Sequence, residues 1–154
     1  MKQHITIDQL NELTRGQKER LRGWWKPDFG DWFFSEKGKD ILPISQQLGY
    51  TSSVVGRYAE YKRDEACPYD VVESGDLPLL SIGQMIEFIK SIGIYDINIT
   101  ENWRDFPIEA GYNDDYKGWE VELERSGLNS LEYWSDDLCD ALWEAVKYIL
   151  SKDK

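Results

Sequence analysis

Apolar and polar positions follow two different periods along this chain. From Ile94 to Thr100, Tyr95, Ile97 and Ile99 interleave with Asp96, Asn98 and Thr100. From Trp119 to Arg125, Trp119, Val121 and Leu123 alternate with Glu120, Glu122 and Glu124. Strict alternation places apolar side chains on one strand face and polar ones on the other. These segments predict two half-buried strands, paired antiparallel across the connection from Glu101 to Gly118. Helical spacing governs two further stretches. Ser81 caps a predicted helix that carries Ile82, Met85, Ile86 and Ile89 on one side, and Gly93 stops it after Ile92. Ser135 is the predicted cap of a C-terminal helix with Leu138, Leu142, Val146 and Ile149 in one stripe.

The first third of the chain is organised by helix-start signals. Thr6 with Gln9, Thr14 with Gln17, and Ser81 with Gln84 each match the capping box, in which hydroxyl and amide side chains bond each other's backbone N–H. They predict a short helix from Ile7 to Leu13 and a second from Arg15 to about Trp25. Pro27 ends the second, because the residue before a proline is pushed toward extended geometry. Leu10, Leu13, Leu21 and Trp24 share an apolar side. Arg15, Lys18, Arg22 and Lys26 step by three or four residues and line a basic one.

Next comes the apolar run Trp32, Phe33 and Phe34, a predicted strand. Ile41, Leu42 and Ile44 surround Pro43, so that piece is expected as an edge or an irregular strand. Val54, Val55, Tyr58 and Tyr61 suggest another strand between Tyr50 and Tyr61, and Asp64 to Leu77 reads as a polar connecting loop. Separate runs of strands and helices argue for an α+β fold. The expectation is a small antiparallel sheet packed against several helices, as a single domain over 1–154.

Composition supports that class. A chain of 154 residues can bury one core without staples. Aromatic residues make up 14% of it, including seven Trp and nine Tyr, side chains suited to cores and interfaces alike. Cys67 and Cys139 are far apart and lack a Cys-x-x-Cys partner, which points to a reducing, cytoplasmic setting. The opening MKQHITIDQL carries no apolar run of the signal-peptide kind, and no stretch reaches the ~18 apolar residues of a membrane span. The net charge of −11 is unevenly placed. Residues 1–63, which include the predicted helices with the basic face, hold eleven Lys and Arg against eight Asp and Glu, whereas 64–154 hold seven against twenty-one. Such asymmetry speaks of partners rather than fold. An acidic surface repels long nucleic acid and attracts basic protein.

Several chemistries lack their residues. His4 is the only histidine, so a zinc site would need His4, Cys67 and Cys139 without any supporting spacing, and no metal is expected. The same shortage disfavours Cys-His and Ser-His-Asp nucleophiles. None of the twelve glycines forms Gly-x-Gly and no Gly-Lys-Ser/Thr occurs, which removes the dinucleotide fingerprint and the P-loop; no cofactor is expected. Asn113, Asp114 and Asp115 lack the spacing of a calcium loop and read as a turn. A carboxylate-based hydrolase stays open as an alternative, since it needs only two or three of the twenty-nine acids gathered in space.

Three constellations are candidates for function. Glu120, Glu122 and Glu124 on a strand, with Asp136, Asp137, Asp140 and Glu144 on the last helix, form acidic rows that can imitate a phosphate backbone before a basic groove. Asp136 and Asp137 also suit the first turn of a helix on electrostatic grounds alone. Arg15, Lys18, Arg22 and Lys26, beside Trp24 and Trp25 and aided by Arg57, Lys62 and Arg63, are the alternative, a site for a small anionic nucleotide or metabolite. The connection from Glu101 to Gly118 holds Trp103, Phe106, Tyr112 and Tyr116, aromatics that either fold onto the core or anchor a partner.

Four segments carry a further likeness: Ile5-Thr-Ile-Asp-Gln-Leu10, Leu21-Arg-Gly-Trp-Trp-Lys-Pro27 with Gly30-Asp-Trp-Phe33, Leu77 to Glu87, and Leu138-Cys-Asp-Ala-Leu-Trp-Glu-Ala-Val-Lys147. Together they resemble small uncharacterised proteins encoded by phages and prophages of Gram-positive bacteria. The likeness leaves Ser35 to Asp76 and the connection after Glu101 uncovered, and it transfers no site residue. It implies a viral accessory protein in the host cytoplasm that binds a host factor such as a defence protein. With the acidic rows and the missing catalytic motifs, the expectation is a non-enzymatic binder of a host protein, for example a nucleic-acid-binding one.

Overall fold

The computed structural model describes residues 1–28, 30–35, 39–44, 75–104, 116–125 and 130–152. Its class is α+β as expected, with two antiparallel three-stranded sheets where one was anticipated. Contacts divide the chain into two compact units, Ile7–Leu80 and a second made of Met1–Thr6 with Ser81–Lys154. The division falls after Thr6 and after Leu80, whereas the change in charge begins near Asp64.

The Ile7–Leu80 unit opens with helices α1 (Ile7–Asn11) and α2 (Arg15–Trp24). The Thr14 capping box forms as the sequence requires: Thr14 N–H donates to Gln17 Oε1 at 2.8 Å, and Gln17 N–H donates to Thr14 Oγ1 at 3.3 Å. Strands β1 (Trp32–Ser35), β2 (Asp40–Pro43) and β3 (Leu77–Pro78) follow in the sheet order β2-β1-β3. Both prolines thus lie on edge strands, where a missing N–H costs no ladder bond. Register places Phe33 beside Leu42 and Pro78 on one face, and Trp32 beside Pro43 and Phe34 beside Ile41 on the other. The first face is the core: Trp25, Phe33, Leu42 and Ile44 are buried together, with Trp24 packed on them. On the other face Trp32 and Ile41 are exposed. The predicted strand from Tyr50 to Tyr61 lies outside the described residues, as do Arg57, Lys62, Arg63, Cys67 and Asn113 to Asp115.

The other unit begins with a short extended segment. His4 bridges Ser81, and Ile82 N–H donates to Gln3 C=O at 3.3 Å, so the chain leaves this unit and returns to it side by side. Helix α3 (Ile82–Ser91) is capped by Ser81 and Gln84 in a second capping box, and Gly93 follows it at φ 72°, the left-handed stop glycine tolerates. Strands β4 (Asp96–Arg104), β5 (Tyr116–Glu124) and β6 (Leu131–Ser135) form a sheet in that order, and helix α4 (Leu138–Ser151) closes the unit. The antiparallel pairing of β4 with β5 is the predicted one. Both strands run farther than alternation suggested, so Trp103 and Tyr116 sit in the ladder rather than in a loop, while Phe106 and Tyr112 lie outside the described residues.

Helix α4 packs on β5, β6 and α3. Leu142, Val146 and Ile149 are buried as predicted, and Val121 and Leu123 meet them from the sheet with at most 1% exposure. Burying a side chain of this size contributes about 1.5–3 kcal/mol, so this layer is the main stabiliser of the unit. One cap is corrected. Asp137, not Ser135, is the N-cap of α4, its carboxylate accepting from Cys139 N–H at 2.9 Å. Ser135 is drawn into β6 by its pairing with Trp119, and its hydroxyl accepts from Asp137 N–H instead.

Candidate functional site

Residues paired directly across antiparallel strands share a face. The register therefore assembles three rows on the sheet face turned away from Val121 and Leu123. Asp96 pairs Glu124; Asn98 pairs Glu122, which pairs Glu132; Thr100 pairs Glu120, which pairs Trp134. Five carboxylates occupy this one surface. Along a strand they stand about 6.5–7 Å apart, and between strands about 4.7–4.9 Å. Glu124 accepts from Asn98 Nδ2 at 2.8 Å, a diagonal contact that fixes one corner. Glu120 and Glu122 are half-buried among their neighbours, whereas Asp96, Glu124 and Glu132 are exposed.

Gly118 explains how an aromatic ring enters this acidic face. It precedes Glu120 on the same side of β5. A Cβ there would meet Trp134 Cζ2 at 2.5 Å and Ser135 C=O at 2.9 Å. The indole of Trp134 thus lies over bare backbone, next to Glu120. A glycine inside a strand marks such close approaches.

The acids predicted on the last helix fall elsewhere. Helix α4 covers the opposite sheet face, so its polar side and the Glu120, Glu122, Glu124 row do not join into one surface. Asp137 and Asp140 are engaged by the chain's own N-terminus. Lys2 N–H donates to Asp137 at 2.8 Å, and Lys2 Nζ meets both Asp140 oxygens at 2.8 and 2.9 Å. The hydrogen bond to Asp140, with the charges of Asp140 and Asp137, holds the Lys2 ammonium above its ordinary pKa of 10.5. Glu144 pairs Lys147 at 2.7 Å, and Asp136 is exposed in the bend before the cap.

The predicted basic face is only partly assembled. Trp25 caps α2 in extended geometry, so Lys26 leaves the helical repeat that would align it with Arg22. Arg15 pairs Glu19 at 2.9 Å, and Arg22 lies 5.3 Å above the Trp25 ring. Trp25 is not a stacking platform. It is 3% exposed, and its indole N–H donates to Asp31 at 2.9 Å. Lys18 is half-buried on α2.

In the unit made of Met1–Thr6 and Ser81–Lys154, burial holds a thiol and a phenol in their neutral forms. Cys139 is a free thiol with 0% exposure; burial first, then the carboxylates of Asp137 and Asp140, push its pKa up to about 12. Tyr133, 6.2 Å from the Tyr148 ring, is likewise pushed to about 12, mainly by burial. No group of three His, Cys, Asp or Glu among the described residues could hold a metal ion, and no described helix is long and apolar enough to cross a membrane.

Glu132 and Trp134 escaped the sequence reading, although Leu131 and Tyr133 alternate with them as a strand requires. Lys90 and Arg125 escaped it too. They flank an open cleft at the α3–β4 turn, which no local pattern announces. Compared with known proteins, the chain matches no family model, no curated protein and no solved structure.

Proposed function

We propose that this chain is an accessory protein that binds a basic host protein through the outer face of the β4-β5-β6 sheet. The observation that carries the reading is the register. It sets Asp96, Glu120, Glu122, Glu124 and Glu132 in adjacent rows on one rigid ladder. Charges fixed on a sheet lose little freedom on binding, and at these spacings their fields overlap within a Debye length of about 8–10 Å. The surface suits a groove built for nucleic acid, where Lys and Arg already converge. Trp134, beside Glu120, adds a ring on which a guanidinium can stack. Binding, rather than catalysis, is the activity proposed. The acidic residues of α4 contribute long-range attraction only, because Asp137, Asp140 and Glu144 already have partners within the chain.

The test is charge reversal. E120K/E122K/E124K should lose capture of a panel of immobilised host nucleic-acid-binding proteins, and capture by the unaltered chain should weaken steeply with salt. Reversal at Asp140 and Glu144 should change it far less. Undiminished capture by the strand variant sinks the reading.

A further inference from the structure

At the end of the sheet, where α3 turns into β4, lies an open cleft of about 570 Å³ lined by Lys90, Gly93, Ile94, Tyr95, Asp96 and Arg125. We infer that this cleft binds a mononucleotide, with Lys90 and Arg125 on the phosphate, Asp96 on the sugar hydroxyls, and Tyr95 and Ile94 against the base.

Charge is the first argument. The chain carries −11, and several of its described bases are drawn to acids: Lys2 to Asp140, Arg15 to Glu19, Lys117 to Glu101 and Lys147 to Glu144, all within 2.9 Å. Lys90 and Arg125 are exposed and have no such carboxylate among the described residues, even though Asp96 lines the same cleft. Two cations without an ion-pair partner among the described residues make the cleft a local positive site. A phosphomonoester carries about −1.5 to −2 at neutral pH, which an ammonium and a guanidinium together offset. The guanidinium adds a planar fork that fits phosphate oxygens in pairs.

Shape and polarity supply the rest. Small-molecule sites span about 300–1,000 Å³, so the cleft has room for more than a bare ion. Ile94 is 48% exposed, one of the few large apolar side chains in water among the described residues, and Tyr95 beside it is half-buried. Gly93 has open space where a Cβ would stand, so a ligand can approach its backbone. A cationic end, an apolar wall and one acceptor match the phosphate, base and sugar of a mononucleotide. Asp96 acts here by accepting hydrogen bonds from neutral hydroxyls, which its charge strengthens.

The test uses the full-length chain and defined probes: AMP, ribose 5-phosphate, adenosine and inorganic phosphate, each titrated by NMR and calorimetry. AMP should move the amide signals of Gly93 to Asp96 and of Arg125, and bind more tightly than the other three. Losing one charge-assisted contact weakens binding roughly tenfold, so K90Q/R125Q should bind AMP at least that much more weakly. Its unfolding midpoint should stay put, because both side chains are exposed. D96A should narrow the preference for AMP over its 2′,3′-dideoxy counterpart, an independent check on the sugar contact. Inorganic phosphate binding as well as AMP, AMP affinity unchanged in K90Q/R125Q, or no shift at millimolar AMP would each overturn the assignment.

Discussion

The two sheets are built to one plan and finished differently. Each has three antiparallel strands, with one face in a core. In the Ile7–Leu80 unit the strands are short, and both edges carry a proline, Pro43 and Pro78. The opposite face there is apolar, with Trp32 and Ile41 exposed. In the second unit β4 and β5 run nine residues each without proline, and the free face is a field of carboxylates. A sheet must discourage strangers from pairing with its edges, and proline and charge are two ways of doing so. Proline acts only where it stands. Charge reaches across the surface, so the acidic sheet also gains a preference for basic partners.

Breaking the cores should give the largest effects. Phe33 is fully buried at the centre of the first sheet, and Phe33→Ala should destabilise by about 3–5 kcal/mol, read from the denaturation midpoint. Leu142→Ala should cost the α4 layer about 2–5 kcal/mol. A small loss in either would show that its sheet does not rest on the core described. Gly118→Ala is the sharper probe of the acidic sheet, since its methyl must displace Trp134 and the Ser135 backbone. A cost of about 1–3 kcal/mol is expected, with a change in Trp fluorescence. Unchanged stability would mean the ring does not lie over that backbone.

Smaller effects separate caps and buried titration from surface. Ser81→Ala should cost about 0.5–2 kcal/mol, through loss of one half of the capping box. With Cys67→Ser in place, Cys139 should resist thiol reagents at pH 8 until the chain unfolds. The thiol's stabilising contribution is intact below its ordinary pKa of 9 and declines as pH rises from there toward about 12, because the unfolded chain releases the proton first. Rapid labelling of the native chain would contradict its burial. Ile41→Ser, on the exposed face of the first sheet, should move stability by no more than about 0.5 kcal/mol. A larger loss would show that this face is covered, and would undo the contrast between the sheets.

Local grammar was legible wherever the physics is local. The Thr14 and Ser81 capping boxes, the Gly93 stop, the edge position of Pro43 and the strand character of β4 and β5 all follow from neighbouring residues, and the structure repeats them. Local pattern misleads where distant residues decide. Ser135 looked like a cap because it precedes a helical stripe, yet pairing with Trp119 claims it for β6. Lys26 looked like the end of a basic face, yet the extended Trp25 ends the repeat first. Trp25 itself looked like a platform, and Asp31 and Phe33 hold it in a core instead.

The sequence by itself determined the α+β class, the helix starts and the alternation that puts Glu120, Glu122 and Glu124 on one side of a strand. Those properties depend on spacing along one segment. Tertiary structure alone decided that Asp96, Glu132 and Trp134 join that row, that the acids of α4 fall on another surface, and that Lys90 meets Arg125 at a cleft. Each is a matter of strand register or of packing between elements far apart in the chain. Period and propensity carry no record of such distances.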